Sequence, residues 1–198
     1  MARLSSARKV IANNITQPIV RLLSRTPLTP NAITWIGFGI TVIAGVLVVT
    51  EHFLAAGIVM LVAGFFDMLD GALARITERV TRFGAILDST LDRLSEAVLL
   101  LGLLAVFVRG GQFTESMLVG FALLGSLMVS YIRARMEGLG IECKAGLFTR
   151  PERVIVMALG LLLSGFDYAL LIALAVITFF SWYTMIERMV YAWRHTRP

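Results

Sequence analysis

A succession of apolar stretches, each about as long as the hydrocarbon of a bilayer is thick, sets the strongest limit on this chain. Crossing that layer takes about 20 residues at a rise of 1.5 Å each. Six segments qualify, at about 31–49, 53–75, 83–108, 114–132, 153–166 and 168–190, the fifth being the shortest. Charged residues are only 16% of the 198 residues and hydrophobic ones 58%. Soluble domains usually carry about 25% charge, so an ordinary soluble fold is excluded. Backbone polar groups in lipid must be bonded within their own segment, so the spans are helices. The expected fold is an all-α integral membrane protein with six transmembrane helices.

Ahead of the first span, Val10, Ile11, Ile15, Ile19, Val20 and Leu23 recur at helical spacings between Arg8, Lys9, Arg21 and Arg25. That is the pattern of an amphipathic helix lying on an anionic membrane surface. No apolar run with a small-residue cleavage site precedes it. Residues 1–29 therefore read as a retained juxtamembrane segment and 30–192 as a six-helix core, one domain over 1–198. Lys and Arg gather in the N-terminal arm, after Arg75, between residues 133 and 152 and in the C-terminal tail, whereas the alternate loops carry only Arg109. The positive-inside rule then places both termini on the cytoplasmic side of the cell membrane and requires an even number of spans. Despite a net charge of +5, no basic stripe interleaved with aromatics lies outside the apolar segments, so nucleic acid is not an expected partner. Cys143 has no cysteine to pair with, and His52 and His195 stand alone, which leaves no zinc-type ligand set. Any chemistry must come from carboxylates and arginines.

Asp67 and Asp70 lie three residues apart and Asp88 and Asp92 four apart, so each pair shares one helix face. The link between them, 76–82, is short, which predicts antiparallel neighbouring helices that bring four carboxylates together. An aspartate within a span costs about 2.5 to 3.5 kcal/mol, and clustered carboxylates repel one another. Two divalent cations offset both effects, and an all-oxygen donor set favours Mg2+ or Mn2+. Such two-metal sites clamp the attacking and leaving oxygens of phosphoryl transfer. Gly71, Ala74 and Gly84 keep space open beside the carboxylates, and Arg75 is placed to meet a phosphate or pair with an acid. Intramembrane aspartates also mark ion-coupled transporters, but a transporter does not require this glycine, alanine and arginine spacing beside a basic loop.

The run Asp67-Met-Leu-Asp70-Gly71-Ala-Leu-Ala74-Arg75, followed after eight residues by Gly84-Ala-Ile-Leu-Asp88-Ser-Thr-Leu-Asp92, resembles the signature of the CDP-alcohol phosphotransferases at every motif position. The likeness extends to the six-helix plan and to Thr29-Pro30-Asn31-Ala32-Ile33-Thr34 at the start of the first helix. The resemblance implies transfer of a substituted phosphate from a CDP-linked lipid to an alcohol, with release of CMP. It implies that Asp67, Asp70, Asp88 and Asp92 bind two Mg2+ ions and that Asp92 is also the general base. It places Pro30, Asn31, Ala32, Ile33, Gly71, Arg75 and Thr81 at the donor's cytidine and diphosphate. A homodimer is implied as well. Ser89 and Thr90 have no histidine nearby to activate them and read as packing residues.

Arginines also gather at Tyr131-Ile-Arg133-Ala-Arg135 and at Arg150-Pro151-Glu152-Arg153, where Pro151 suits the first turn of a helix. With a helix N-terminus beside them, these residues make a cradle for an acceptor that itself carries phosphate. The segment from Ser130 to Glu137, with Arg150 to Val154, resembles the bacterial phosphatidylinositol phosphate synthases and their archaeal ether-lipid counterparts. That resemblance implies CDP-diacylglycerol or an ether-lipid analogue as donor and inositol 1-phosphate as acceptor. Arg133, Arg135 and Arg153 would hold the acceptor phosphate, with Arg194 as a further candidate. Arg133 stands where a lysine is expected in the bacterial branch, which keeps the charge and changes the geometry. Glycerol 3-phosphate is the rival acceptor. Glu96 reads either as a support for the acidic site or as a partner for a neighbouring helix, Arg93 as the partner of an acid, and Gly102, Gly120 and Gly125 as sites of close helix contact.

Overall fold

A computed structural model describes residues 17–196, which form an all-helical membrane protein with seven helices. They are α1 (Gln17–Leu23), α2 (Pro30–Val49), α3 (Phe53–Ile76), α4 (Arg82–Arg109), α5 (Phe113–Gly138), α6 (Arg150–Leu162) and α7 (Ala169–His195). The starts follow local chemistry. Thr29 caps α2 by accepting from the Ala32 N–H at 3.2 Å, ahead of Pro30 in the first turn, and Thr81 caps α4 by accepting from the Gly84 N–H at 2.9 Å. At α6, the Thr149 N–H donates to the Glu152 carboxylate at 2.9 Å.

Pairwise packing runs from α3 to α2, α4, α5, α7 and α6 and back to α3, a closed ring of six helices. α3 and α4, expected to be packed neighbours, do not pack extensively against each other; both lean on α2 instead. The gap between them leaves room around their carboxylates. Close approach depends on small residues. A Cβ on Gly45 would come within 2.5 Å of Val98 Cγ1, one on Gly102 within 3.3 Å of the Gly45 carbonyl, and one on Gly125 within 3.1 Å of Ser181 Cβ. Gly120, also expected at a contact, has nothing within 4 Å of such a Cβ.

The apolar core fills one half of the ring, where Leu99, Leu103, Val119, Leu161, Leu174 and Ile177 are buried. The acidic pairs lie in the other half, on the C-terminal turns of α3 and the N-terminal turns of α4. The outer surface exposes apolar side chains such as Ile43, Leu54, Phe179 and Ile186, a surface suited to lipid. Four of the described helices, α2, α3, α5 and α7, are long and apolar enough to cross a membrane. α4 has the length but carries charge through its first half, and the 13 residues of α6 span only about 20 Å. Of the expected amphipathic segment, Val10, Ile11 and Ile15 lie outside the described residues. Within α1, Val20 is fully buried against Ile33, Leu69 and Leu73, so this face is absorbed by α3 and the tip of α2.

Candidate active site

Four aspartates on two helices form the centre. Asp67 and Asp92 are about three-quarters buried, and the Arg150 guanidinium bridges them: Nη2 lies 2.6 Å from Asp67 Oδ2 and Nη1 2.8 Å from Asp92 Oδ1. One cation from the first turn of α6 thus joins α3 to α4. Asp70 is 4% exposed. Its Oδ1 accepts from the Gly71 N–H at 2.5 Å, while Oδ2 is buried with no hydrogen-bond partner among the described residues. Asp88 is half-buried and interacts electrostatically with Asp70, Asp67 and Asp92.

This donor set fits a hard divalent cation. It is made of carboxylate oxygens, and the orphaned Asp70 oxygen is the kind of buried polar atom a cation satisfies. As the side chains stand, no group of three His, Cys, Asp or Glu residues closes around one point among the described residues. Asp67 and Asp92 turn to Arg150 instead.

Two clefts meet at the carboxylates. The first, about 720 Å³, is lined by Pro30, Asn31, Gly71, Ala74, Arg75, Thr81 and Gly84, together with Asp70 and Asp88. Most of the residues expected at the donor therefore share one wall. A Cβ on Gly84 would come within 3.0 Å of the Asn31 carboxamide, so a bare backbone is needed where α4 meets the tip of α2. Ala32 does not line this cleft, and Ile33, 2% exposed, packs in the core beside it.

The second cleft, about 830 Å³, contains Asp88 and Asp92 and five arginines: Arg93, Arg133, Arg150, Arg153 and Arg188. Arg133 pairs with Glu137 at 2.8 Å, and Arg153 is held by both oxygens of Glu96, at 2.6 and 2.8 Å. Glu96 thus has its partner on α6, an arginine that itself lines the cleft. Arg93, expected to pair with an acid, donates instead to the carbonyls of Ser89 and Ser130. Arg135 and Arg194 are exposed and lie outside the lining.

Arg188 was not anticipated. It is 3% exposed and donates to the Val129 carbonyl at 2.5 Å and the Ala145 carbonyl at 3.1 Å. Its signal in the sequence is an arginine inside an apolar span, which is rarely placed there without a task.

The profile of the CDP-alcohol phosphatidyltransferase family matches residues 27–191. The archaetidylinositol phosphate synthase of Methanothermobacter thermautotrophicus is 38% identical over 194 residues, covering 93% of this chain and 95% of its own. The crystal structure of the phosphatidylinositol phosphate synthase of Mycobacterium tuberculosis with CDP-DAG bound superposes with a TM-score of 0.82 at 34% identity, covering 90% of this chain and 94% of that one. The same enzyme in complex with manganese and citrate superposes with a TM-score of 0.81 at 34% identity, covering 90% and 89%.

Proposed function

This chain belongs to the CDP-alcohol phosphatidyltransferase family, and from that premise we propose that it transfers the phosphatidyl-type group of a CDP-lipid to the hydroxyl of inositol 1-phosphate, giving phosphatidylinositol phosphate and CMP. The observation that carries this reading is that Asp88 lines both clefts, so one acidic wall faces two substrates. The names of its relatives support the choice of acceptor, since an archaeal and a bacterial inositol phosphate synthase align over most of the chain.

In the first cleft, Arg75 and the Thr81 and Asn31 side chains bind the diphosphate and cytidine, while Gly71, Ala74 and Gly84 let the donor approach the backbone. In the second, Arg133, Arg153 and Arg188 hold the acceptor phosphate, with Arg135 and Arg194 adding positive charge outside the lining. Asp67, Asp70, Asp88 and Asp92 would hold two Mg2+ or Mn2+ ions, which when bound neutralise the diphosphate and make CMP a better leaving group. Asp92 takes the proton of the acceptor hydroxyl as its oxygen bonds to phosphorus and the bond to CMP breaks. Arg150 keeps Asp67 and Asp92 oriented across the gap between α3 and α4.

α4 and α6 complete six spans with the clefts and both termini facing the cytoplasm of the cell membrane, and two copies form a homodimer. Beyond Glu96 lies a mainly apolar cavity walled by side chains such as Met60, Leu99, Met157 and Ile177, a lining that speaks against an ion pathway through the ring. The test is CMP release from CDP-diacylglycerol by purified protein with inositol 1-phosphate. Release should need Mg2+ or Mn2+, stop with chelator and be lost in Asp92→Asn. Release that survives chelation, or that persists in the variant, refutes the scheme.

A further inference from the structure

The reaction scheme above gives Glu96 no task. Glu96 is 13% exposed at its side chain and Arg153 only 2%, and they meet through two bonds, Nε to Oε1 at 2.6 Å and Nη2 to Oε2 at 2.8 Å. Stability alone is a poor reason for such a pair, because desolvating two charges offsets most of their attraction, and apolar replacements are often neutral. Its position is more informative. Asp92 and Glu96 are one turn apart on α4, and Arg150 and Arg153 one turn apart on α6. The two ion pairs are therefore successive rungs between helices that do not otherwise pack extensively. The lower rung, Glu96–Arg153, is also a boundary. Both residues line the arginine cleft on one side and a smaller apolar cavity on the other, so the pair forms the floor of the cleft.

From this geometry we infer that Glu96 is a positioning residue for the acceptor, holding Arg153 so that the remaining edge of its guanidinium faces the cleft. The inference rests on the reading that this cleft takes the acceptor phosphate. A guanidinium has two edges able to make paired bonds, one through Nε and Nη2 and one through the two Nη atoms. Glu96 occupies the first. Among the described residues the second is engaged only by the Phe148 carbonyl at 3.5 Å, which leaves Nη1 available to an oxyanion. Without the carboxylate, Arg153 keeps its charge and loses its direction. Asp92 on the next rung is already bonded to Arg150. Direction matters more than charge here, because several other cations already supply attraction.

The experiment compares wild type, Glu96→Asp and Glu96→Gln in CMP release, varying inositol 1-phosphate and CDP-diacylglycerol separately and adding inorganic phosphate as a competitor of the acceptor. Glu96→Gln is expected to raise the acceptor KM about tenfold or more and weaken phosphate inhibition in parallel, with kcat within about threefold and donor KM within about twofold. Glu96→Asp keeps the charge one methylene short and should fall between the two, which also covers the case of a Gln variant that does not fold. An unchanged acceptor KM overturns the inference. So does a rise in both KM values together with a lower Tm, which marks a merely structural pair. Wild-type protein that releases no CMP with any phosphorylated acceptor removes the reading of the cleft itself, and this inference with it.

Discussion

Gly146 offers a sharp test because two separable effects meet there. Its φ of +123° is one that L side chains rarely adopt, and a Cβ would lie 2.8 Å from both Nε and Nη2 of Arg188. Replacing it with Ala therefore strains the backbone and pushes on a guanidinium. The backbone term is about 1–3 kcal/mol, which for a chain of this length lowers Tm by roughly 2–12 °C. The steric term is relieved by moving Arg188, whose bonds to the Val129 and Ala145 carbonyls are then broken and whose place in the acceptor cleft is lost. Losing one charged contact to a phosphate is worth about 1.5–3 kcal/mol, so the acceptor KM should rise about tenfold or more. Gly111→Ala is the control: its φ is +69°, with nothing within 4 Å of the added Cβ, so it should lower Tm by a few degrees and leave both KM values unchanged. Titrating inositol 1-phosphate and CDP-lipid separately, with Tm in detergent, reads all three quantities. An acceptor KM in Gly146→Ala equal to that of wild type would refute the link from Gly146 through Arg188 to the acceptor.

Arg150→Gln removes the cation that joins Asp67 to Asp92, and kcat measured by CMP release should fall about a hundredfold, from the loss of two charged bonds; a rate within twofold of wild type would contradict its role. Gly45→Val forces α2 away from Val98 and should destabilise by about 1–3 kcal/mol with both KM values unchanged, read as a lower Tm in detergent. Arg188→Ala should raise the acceptor KM well above that of Arg135→Ala, because only Arg188 lines the cleft. Equal effects in a side-by-side titration would show that the lining does not select the contacts.

The aspartate pairs are legible in the sequence because their geometry is local: three- and four-residue spacings on a helix place Asp67 with Asp70 and Asp88 with Asp92 whatever surrounds them. The caps at Thr29 and Thr81 are legible for the same reason. What surrounds the pairs is set by long-range packing. Nothing within 76–82 reveals that α2 rather than α4 packs on α3, because that choice is made by small residues such as Gly45 and Gly102, whose partners are distant in the chain. The partner of Asp67 is Arg150, 83 residues away, and no periodicity encodes such a pair. Arg188 did leave a signal, a charge within an apolar span, but a C-terminal position invites assignment to the basic tail that holds Arg194. Ile33 illustrates the converse: it sits in a motif-like run, yet its side chain belongs to the core beneath α1.

The most direct measurement offers inositol 1-phosphate and glycerol 3-phosphate side by side to purified protein with Mg2+, using CDP-diacylglycerol and an ether-lipid analogue as donors, with CMP and the lipid product both identified by mass. Formation of an inositol phosphate lipid in step with CMP, with little product from glycerol 3-phosphate and none from Asp92→Asn, is the expected result. Product from glycerol 3-phosphate alone would keep the chemistry and contradict the acceptor, and no CMP from either acceptor with either donor would contradict the proposed reaction itself.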